Sequence, residues 1–351
     1  MDNRGPPEQF PDPLGGEQAS TDPARILVCL DRSELSETVL SYAVMLARAT
    51  AGSLTLINVV EASGDITSES HDALLWELKR REAHEYMDQM LSRVRRLDVA
   101  VDIQIEEGRA AEQILGYVRN HPIDFVILAS HGSHGLAEWS LSSTAAKIIN
   151  RTHSSFIIVP ATPHYQHAIQ ESCVHRILVP LDDSPRSLAA LPLAMRIARQ
   201  QKAELILAHA VECASFHHHA VVPHANRELV DSAMSVLESV AQNYLEQVAE
   251  RLKGEDIEVS VILTPSCSPI ELIYETVTSR HVDLIVMSAH GASGGENFPF
   301  ARTSAHLISH APVPLLIVQD LDRKQMSRCL QIRRYDRAPT KRGKSTVDDT
   351  Y

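Results

Sequence analysis

The 351-residue chain repeats itself, and this duplication limits its fold more than any other feature. The segment from Arg25 reads Arg-Ile-Leu-Val-Cys-Leu-Asp-Arg-Ser, and the segment from Arg176 reads Arg-Ile-Leu-Val-Pro-Leu-Asp-Asp-Ser. Each is a short apolar run that closes on an acid, Asp31 or Asp182, and then on a serine, Ser33 or Ser184. Apolar residues at helical spacing follow: Leu35, Val39, Tyr42 and Leu46 in one copy, Leu188, Leu191, Met195 and Ala198 in the other. A serine fits just before such a stretch, because its hydroxyl accepts from first-turn amides that have no partner in the helix. The match then continues in order. Strands are predicted over 54–60 and 205–211, long helices over 74–96 and 228–253, and strands over 99–105 and 257–263. Short helices over 112–118 and 271–277 lead to strands over 124–129 and 283–288. Each copy closes with a glycine-bearing loop, a helix and a last strand, at 156–159 and 315–318. Apolar strands alternating with helical periods predict parallel pairing through right-handed crossovers. The expected fold class is α/β: two tandem, open, doubly wound domains, each with a mostly parallel five-stranded sheet.

At 44% hydrophobic residues, each half can bury a core of its own. The expected organisation is a disordered tail over 1–23, a first domain over 24–160, and a polar linker over 161–174 marked by Pro160 and Pro163. A second domain over 175–320 and a disordered basic tail over 321–351, with nine Lys and Arg, complete it. A net charge of −12 argues against nucleic acid or an anionic membrane as the main partner. No apolar run approaches the ~20 residues a bilayer-spanning helix needs, and residues 1–21 hold no apolar signal core. The five cysteines show no paired close spacing, which matches a reducing, cytoplasmic compartment.

Ligands of open parallel sheets collect beyond the carboxyl ends of the strands, where the strand order reverses. Three features of each copy converge there. Asp31 and Asp182 close strand one, where a carboxylate can accept from a base or ribose, or can cap the following turn. The loop after strand four reads Ala-Ser-His-Gly-Ser-His-Gly from Ala129 and Ser-Ala-His-Gly-Ala-Ser-Gly from Ser288, and glycines there let backbone amides approach an anion. The next helix opens on Ser142-Ser143-Thr144 in one copy and Ala301-Arg302-Thr303 in the other, where free amides and the helix dipole favour phosphate.

With these residues in place, the sequence resembles the universal stress protein family over nearly all of both copies. The resemblance implies an adenine nucleotide α-hydrolase-like sheet of strand order 3-2-1-4-5, with the last strands pairing about a two-fold axis. It also implies ATP or a related adenine nucleotide as ligand, with Mg2+ accompanying it. Nucleotide-binding members carry Gly-x2-Gly-x9-Gly-[Ser/Thr] after strand four. This chain reads Ala129-x2-Gly132-x9-Ser142-Ser143 and Ser288-x2-Gly291-x9-Ala301-Arg302, so the spacing is intact and only the middle glycine survives in each. An added Cβ at the first and third positions crowds the place where backbone should meet ligand. By this carry-over the nucleotide-binding set is Asp31, Val59, Leu128, Gly132, Ser142, Ser143 and Thr144, then Asp182, Ala210, Gly291, Arg302 and Thr303, with Val59 and Ala210 lining the base pocket. The expected function is a cytoplasmic stress-response protein that binds nucleotide in domain one, organised as an internal pseudo-dimer with strand five against strand five, with a homodimer as a further level of assembly left open. A non-nucleotide interaction or scaffold module and a slow ATPase are the alternatives. Against an enzyme, neither copy shows a carboxylate pair for Mg2+ near the loop or a Lys after its glycines.

Other motifs carry less. The stretch from Ala338 to Ser345 fits a loose phosphate-loop expression, but both flanks are polar and basic where a buried strand and a helix are needed. His131 and His134 depart in order from the His-x-Gly-His signature of nucleotidyltransferases, and for His131 and His290, at matching places in the loop after strand four, a structural or ligand-lining role outweighs general acid–base work. The cluster His217, His218, His219 and His224 falls in a variable loop with no acidic or cysteine ligand fixed beside it.

Overall fold

The computed structural model describes residues 23–61, 69–131, 141–161, 174–211, 227–252, 256–264, 268–292 and 299–321, with side chains from residue 73 in the second helix and from residue 232 in its counterpart. The first repeat runs β1 (Arg25–Cys29), α1 (Glu34–Thr50), β2 (Ser53–Val60), α2 (Glu69–Arg95), β3 (Val101–Glu107), α3 (Ala110–Asn120), β4 (Phe125–Ala129), α4 (Ser143–Ile149) and β5 (Ser155–Val159). The second runs β6 (Arg176–Pro180), a 3-10 turn (Ser187–Ala190) leading into α5 (Leu191–Gln201), β7 (Glu204–Ala210), α6 (Arg227–Leu252) and β8 (Val259–Thr264). It closes with α7 (Pro269–Arg280), β9 (Leu284–Ser288), α8 (Arg302–His310) and β10 (Leu315–Val318).

All ten strands join one sheet in the order β3-β2-β1-β4-β5-β10-β9-β6-β7-β8. Each half thus has the order 3-2-1-4-5, and the described pairings within a half are parallel. The halves meet where β10 runs antiparallel to β5, with Leu316 opposite Ile157 and Ile317 opposite Phe156. Inner strands are covered by helices on both faces, so they read as unbroken apolar runs rather than alternating ones. Ile26, Leu27 and Val28 of β1 and Ile177, Leu178 and Val179 of β6 are all buried. The outer strand β3 alternates in the sequence Val-Asp-Ile-Gln-Ile-Glu-Glu and is only partly covered.

The junction between the halves uses backbone and side chains together. Two open sheet edges with unpaired amides and carbonyls would each seek a partner strand, and β5 and β10 satisfy one another. Phe156 of β5 is buried and meets Phe300 edge-on, with centroids 5.6 Å apart and planes at 88°. The Gln319 amide donates to Ser155 Oγ at 3.1 Å. On the other face α1 packs against α5, and their buried residues belong to one continuous cluster.

Local chemistry fixes where the helices start. Ser33 caps α1, its hydroxyl accepting from the Ser36 amide at 3.0 Å. Ser184 accepts at 3.1 Å from the amide of Ser187, the first residue of the 3-10 turn rather than of α5. Pro185 lies between, and its fixed φ and missing N–H suit such a tight first turn. Cys29, at the end of β1, has its thiol pushed up to about 12 by burial, so it stays protonated and inert at neutral pH. Among the described residues no helix is long and apolar enough to cross a membrane.

Candidate functional site

In each half the order reverses between strand one and strand four: β1 lies between β2 and β4, and β6 between β7 and β9. Loops leaving the carboxyl ends of these strands diverge there and leave a crevice. The second repeat has a crevice of about 370 Å3, lined by Asp182, His209, Ala210, Met287, Gly291 and Thr303 among others. Four residues of the sequence-derived set, Asp182, Ala210, Gly291 and Thr303, therefore come together. Arg302 does not join them. It is exposed at the start of α8 and is not one of the lining residues.

Asp182 spans this crevice. Its Oδ1 accepts from the amide and hydroxyl of Ser184, at 3.2 and 2.6 Å, and its Oδ2 accepts from the Ala292 amide at 2.7 Å. The carboxylate caps its own turn and also ties strand one to the loop after strand four. That tie explains why the middle glycine is kept. A Cβ on Gly291 would lie 1.9 Å from Asp182 Oδ2, so Gly291→Ala must expel the carboxylate from the Ala292 amide. The expected cost is about 1–3 kcal/mol of stability, as for other overpacked sites, read as a shifted urea midpoint with unchanged slope.

The floor of the crevice is held by a device common to both repeats. His209 donates from Nδ1 to the Leu181 carbonyl at 2.8 Å. In the first repeat Asn58 donates from Nδ2 to the Leu30 carbonyl at 2.7 Å. Two different side chains thus join the end of strand two to the end of strand one. With Nδ1–H committed, neutral His209 presents Nε2 as an acceptor.

The loop histidines are embedded. His290 is buried and contacts Asp320 Oδ1 through Nδ1 at 2.8 Å, while Arg186 Nε lies 3.7 Å from Asp320 Oδ2. In the first repeat, Ala161 occupies the place of Asp320, and His131 Nδ1 instead meets Ser130 Oγ at 3.0 Å. Burial lowers the pKa of His131, which keeps its ring neutral. Both histidines serve as structural links in the loops.

In the first repeat, Asp31 Oδ1 accepts from the amide and hydroxyl of Ser33, at 3.0 and 2.5 Å, the same turn cap as in the second repeat. Leu128 is buried at the end of β4, and Val59 is half-buried against the apolar cluster beneath the sheet. Ser142 is the cap of α4, accepting from the Ala145 amide at 3.1 Å. Its hydroxyl accepts one bond from the helix and keeps its O–H to donate. Ala301, its counterpart, makes no side-chain cap. Ser143 is exposed and Thr144 half-buried in the first turn. Gly132 lies outside the described residues, as do His134, the 217–219 histidines, His224 and residues 338–345.

The largest difference between the two sites lies at the mouth, in residues outside the sequence-derived set. Tyr86 of α2 and Tyr244 of α6 occupy matching places, and burial raises both phenols first, with Glu37 and Asp183 respectively the leading charges. Setting the helices in that register places Lys79 where the second repeat has Leu237, and Glu82 where it has Val240. Arg32 stands in the position of Asp183 and pairs with Glu82 at 3.4 Å. The Lys79 ammonium reaches the Glu61 carbonyl, at the end of β2, at 3.5 Å. The first mouth thus carries Arg32, Lys79 and Glu82 where the second carries Asp183, Leu237 and Val240. The tyrosine register was the available signal, but charges on a long helix read as an ordinary solvated face.

The family model described as the universal stress protein family matches residues 24–160 and again 174–319. Universal stress protein Sll1388 of Synechocystis is 28% identical over 148 residues, covering 38% of this chain and 96% of that protein. Universal stress protein Rv2005c of Mycobacterium tuberculosis is 24% identical over 208 residues, covering 56% of this chain and 62% of that protein. A solved universal stress protein from Archaeoglobus fulgidus shares the fold with a TM-score of 0.57 at 18% identity, over 84% of this chain and 98% of that one. With both halves matched by the same family model, the chain belongs to the universal stress protein family.

Proposed function

We propose that this protein binds ATP or a related adenine nucleotide in its first repeat and acts in a cytoplasmic stress response. The observation that carries this reading is the pair of cations at the first mouth. Arg32 follows Asp31 directly, and Lys79 is anchored on the end of β2, so both sit at the carboxyl edge where the phosphates of a crevice ligand would lie. Asp31, Val59 and Leu128 would hold the base side; Gly132, Ser143 and Thr144 would face the phosphates. Mg2+ would accompany those phosphates, and no residue of this chain is assigned to it. In the second repeat, Asp182, Ala210, Gly291 and Thr303 form a crevice without the two cations, and Arg302 is turned away from it.

The domains proposed are 24–160 and 175–320, joined across β5 and β10 as an internal pseudo-dimer. Occupancy of the first crevice would favour one arrangement of its loops and so bias the surface offered to protein partners. A second reading, a scaffold whose crevices hold themselves together without nucleotide, is favoured by one observation: Asp182 already spends both oxygens inside the protein. Calorimetric titration of the full chain with ATP, ADP and AMP separates the two. Saturable heat is expected, and an absence of heat with all three leaves the scaffold.

A further inference from the structure

The two crevices share a floor and differ at the rim, which determines what each can hold. Among the described residues that line the second crevice, the acids are Asp182 and Asp183, and none is Lys or Arg. The Gly291 backbone, which a phosphate would have to approach, is packed directly against the Asp182 carboxylate. An anion entering there meets like charge in a half-buried setting, and like-charge juxtaposition is among the stronger means of excluding a ligand.

The same groups are well placed to receive donors. A carboxylate offers about four acceptor sites, and Ser184 and Ala292 occupy three of those on Asp182 among the described residues. His209 adds an acceptor at Nε2, since its Nδ1–H is committed to Leu181. Asp183 lies at the rim with its side chain half exposed, 3.8 Å from the His209 ring.

The remaining walls are apolar and partly bare. Leu272, Ile273 and Met287 form the floor, while Leu237 and Val240 rise beside the mouth at 42% and 54% exposure. Large apolar side chains left open at the lip of a cavity mark a surface that a ligand covers. The cavity, at about 370 Å3, is within the range of small-molecule sites.

We propose that the second crevice is a separate site for a small molecule with N–H donors on an apolar ring body and no negative charge. The donors meet Asp182 and His209, and the ring body covers Leu237 and Val240. The acidic rim rejects phosphorylated relatives of the same molecule. Such a site is distinct from the nucleotide reading of the first repeat, because it selects against the charge that the first mouth attracts.

The test uses the full chain with 13C-methyl methionine. Met287 lines the second crevice, and its counterpart in the first is Leu128, so the Met287 methyl signal, assigned through Met287→Leu, reports on the second site alone. Adenosine, AMP and ATP form a probe series in which negative charge grows with each phosphate, and Asp183→Asn separates the effect of charge from that of size. Adenosine is expected to move the Met287 signal saturably, with ATP at least about tenfold weaker there. Leu237→Glu, at an exposed position that the fold tolerates, is expected to abolish the adenosine shift. Asp183→Asn, which keeps the left-handed backbone of that residue (φ 63°), is expected to narrow the gap between adenosine and ATP. The proposal is overturned if ATP moves Met287 as tightly as adenosine does, if adenosine at about 1 mM leaves it unmoved, or if Leu237→Glu binds unchanged. Nucleotide heat from the first repeat would leave Met287 still, so failure of either reading is seen without the other.

Discussion

Phe156→Ala is expected to lower the unfolding free energy by about 3–5 kcal/mol, the range for a fully buried aromatic truncated to alanine. Phe156 is inaccessible to solvent, lies on β5 opposite Ile317 of β10, and packs edge-on against Phe300 of the other repeat. Removing it leaves a cavity at the one place where the two halves share a sheet, and the strand backbones on either side hold that cavity open. The loss also reaches Phe300, whose ring loses its edge-on partner. Urea unfolding followed by circular dichroism measures the effect. A second transition in the variant, absent from the parent, would show that the seam couples the two repeats. A loss below about 1 kcal/mol would mean that the cavity collapses and that the seam is held by α1 and α5 instead.

The second large effect is on binding. Converting the first mouth to the second, with Arg32→Asp and Lys79→Leu together, is expected to weaken ATP binding by about 2 kcal/mol or more, roughly thirtyfold. The two side chains are on the surface, so the fold should survive; the Arg32–Glu82 pair is an exposed ion pair of small worth to stability. The effect should shrink as salt rises, because these charges act across solvent. Calorimetry at low and high salt checks both statements. Equal ATP affinity in parent and variant would remove the cations from the account.

The duplication made the fold legible. Apolar runs such as Ile26–Val28 and Ile177–Val179 can be buried on both faces only in a parallel sheet, and the matched helices between them dictate the crossovers. The observed strands differ from the sequence-derived ones by a residue or two at their ends, where side chains no longer distinguish strand from turn. The site was legible at the level of elements. Asp31, Asp182 and Gly291 sit where the ends of strands one and four require, and Asp182 with Gly291 forms a contact that no motif spells out.

What the sequence hid were pairings between distant segments. Asp320, 30 positions from His290, looks like the start of a tail until the His290 Nδ1 contact at 2.8 Å makes it part of the loop. Ser142 has a second task that the motif does not spell out, accepting from the first turn of α4. Arg32 and Lys79 are 47 residues apart, and nothing in their spacing says that they share a rim; the helix register set by Tyr86 does. Conversely, Arg302 fits the motif alignment and stands outside the crevice.

On the proposed function, the two halves of the duplicated fold keep unequal sites, one with Arg32 and Lys79 at its mouth and one with Asp183 in place of the arginine. The stoichiometry of ATP on the full chain, counted by native mass spectrometry across a titration, tests it most directly. The account predicts one ATP per chain, lost when Arg32 and Lys79 are replaced. Two ATP per chain, or one that persists in that variant, would contradict it.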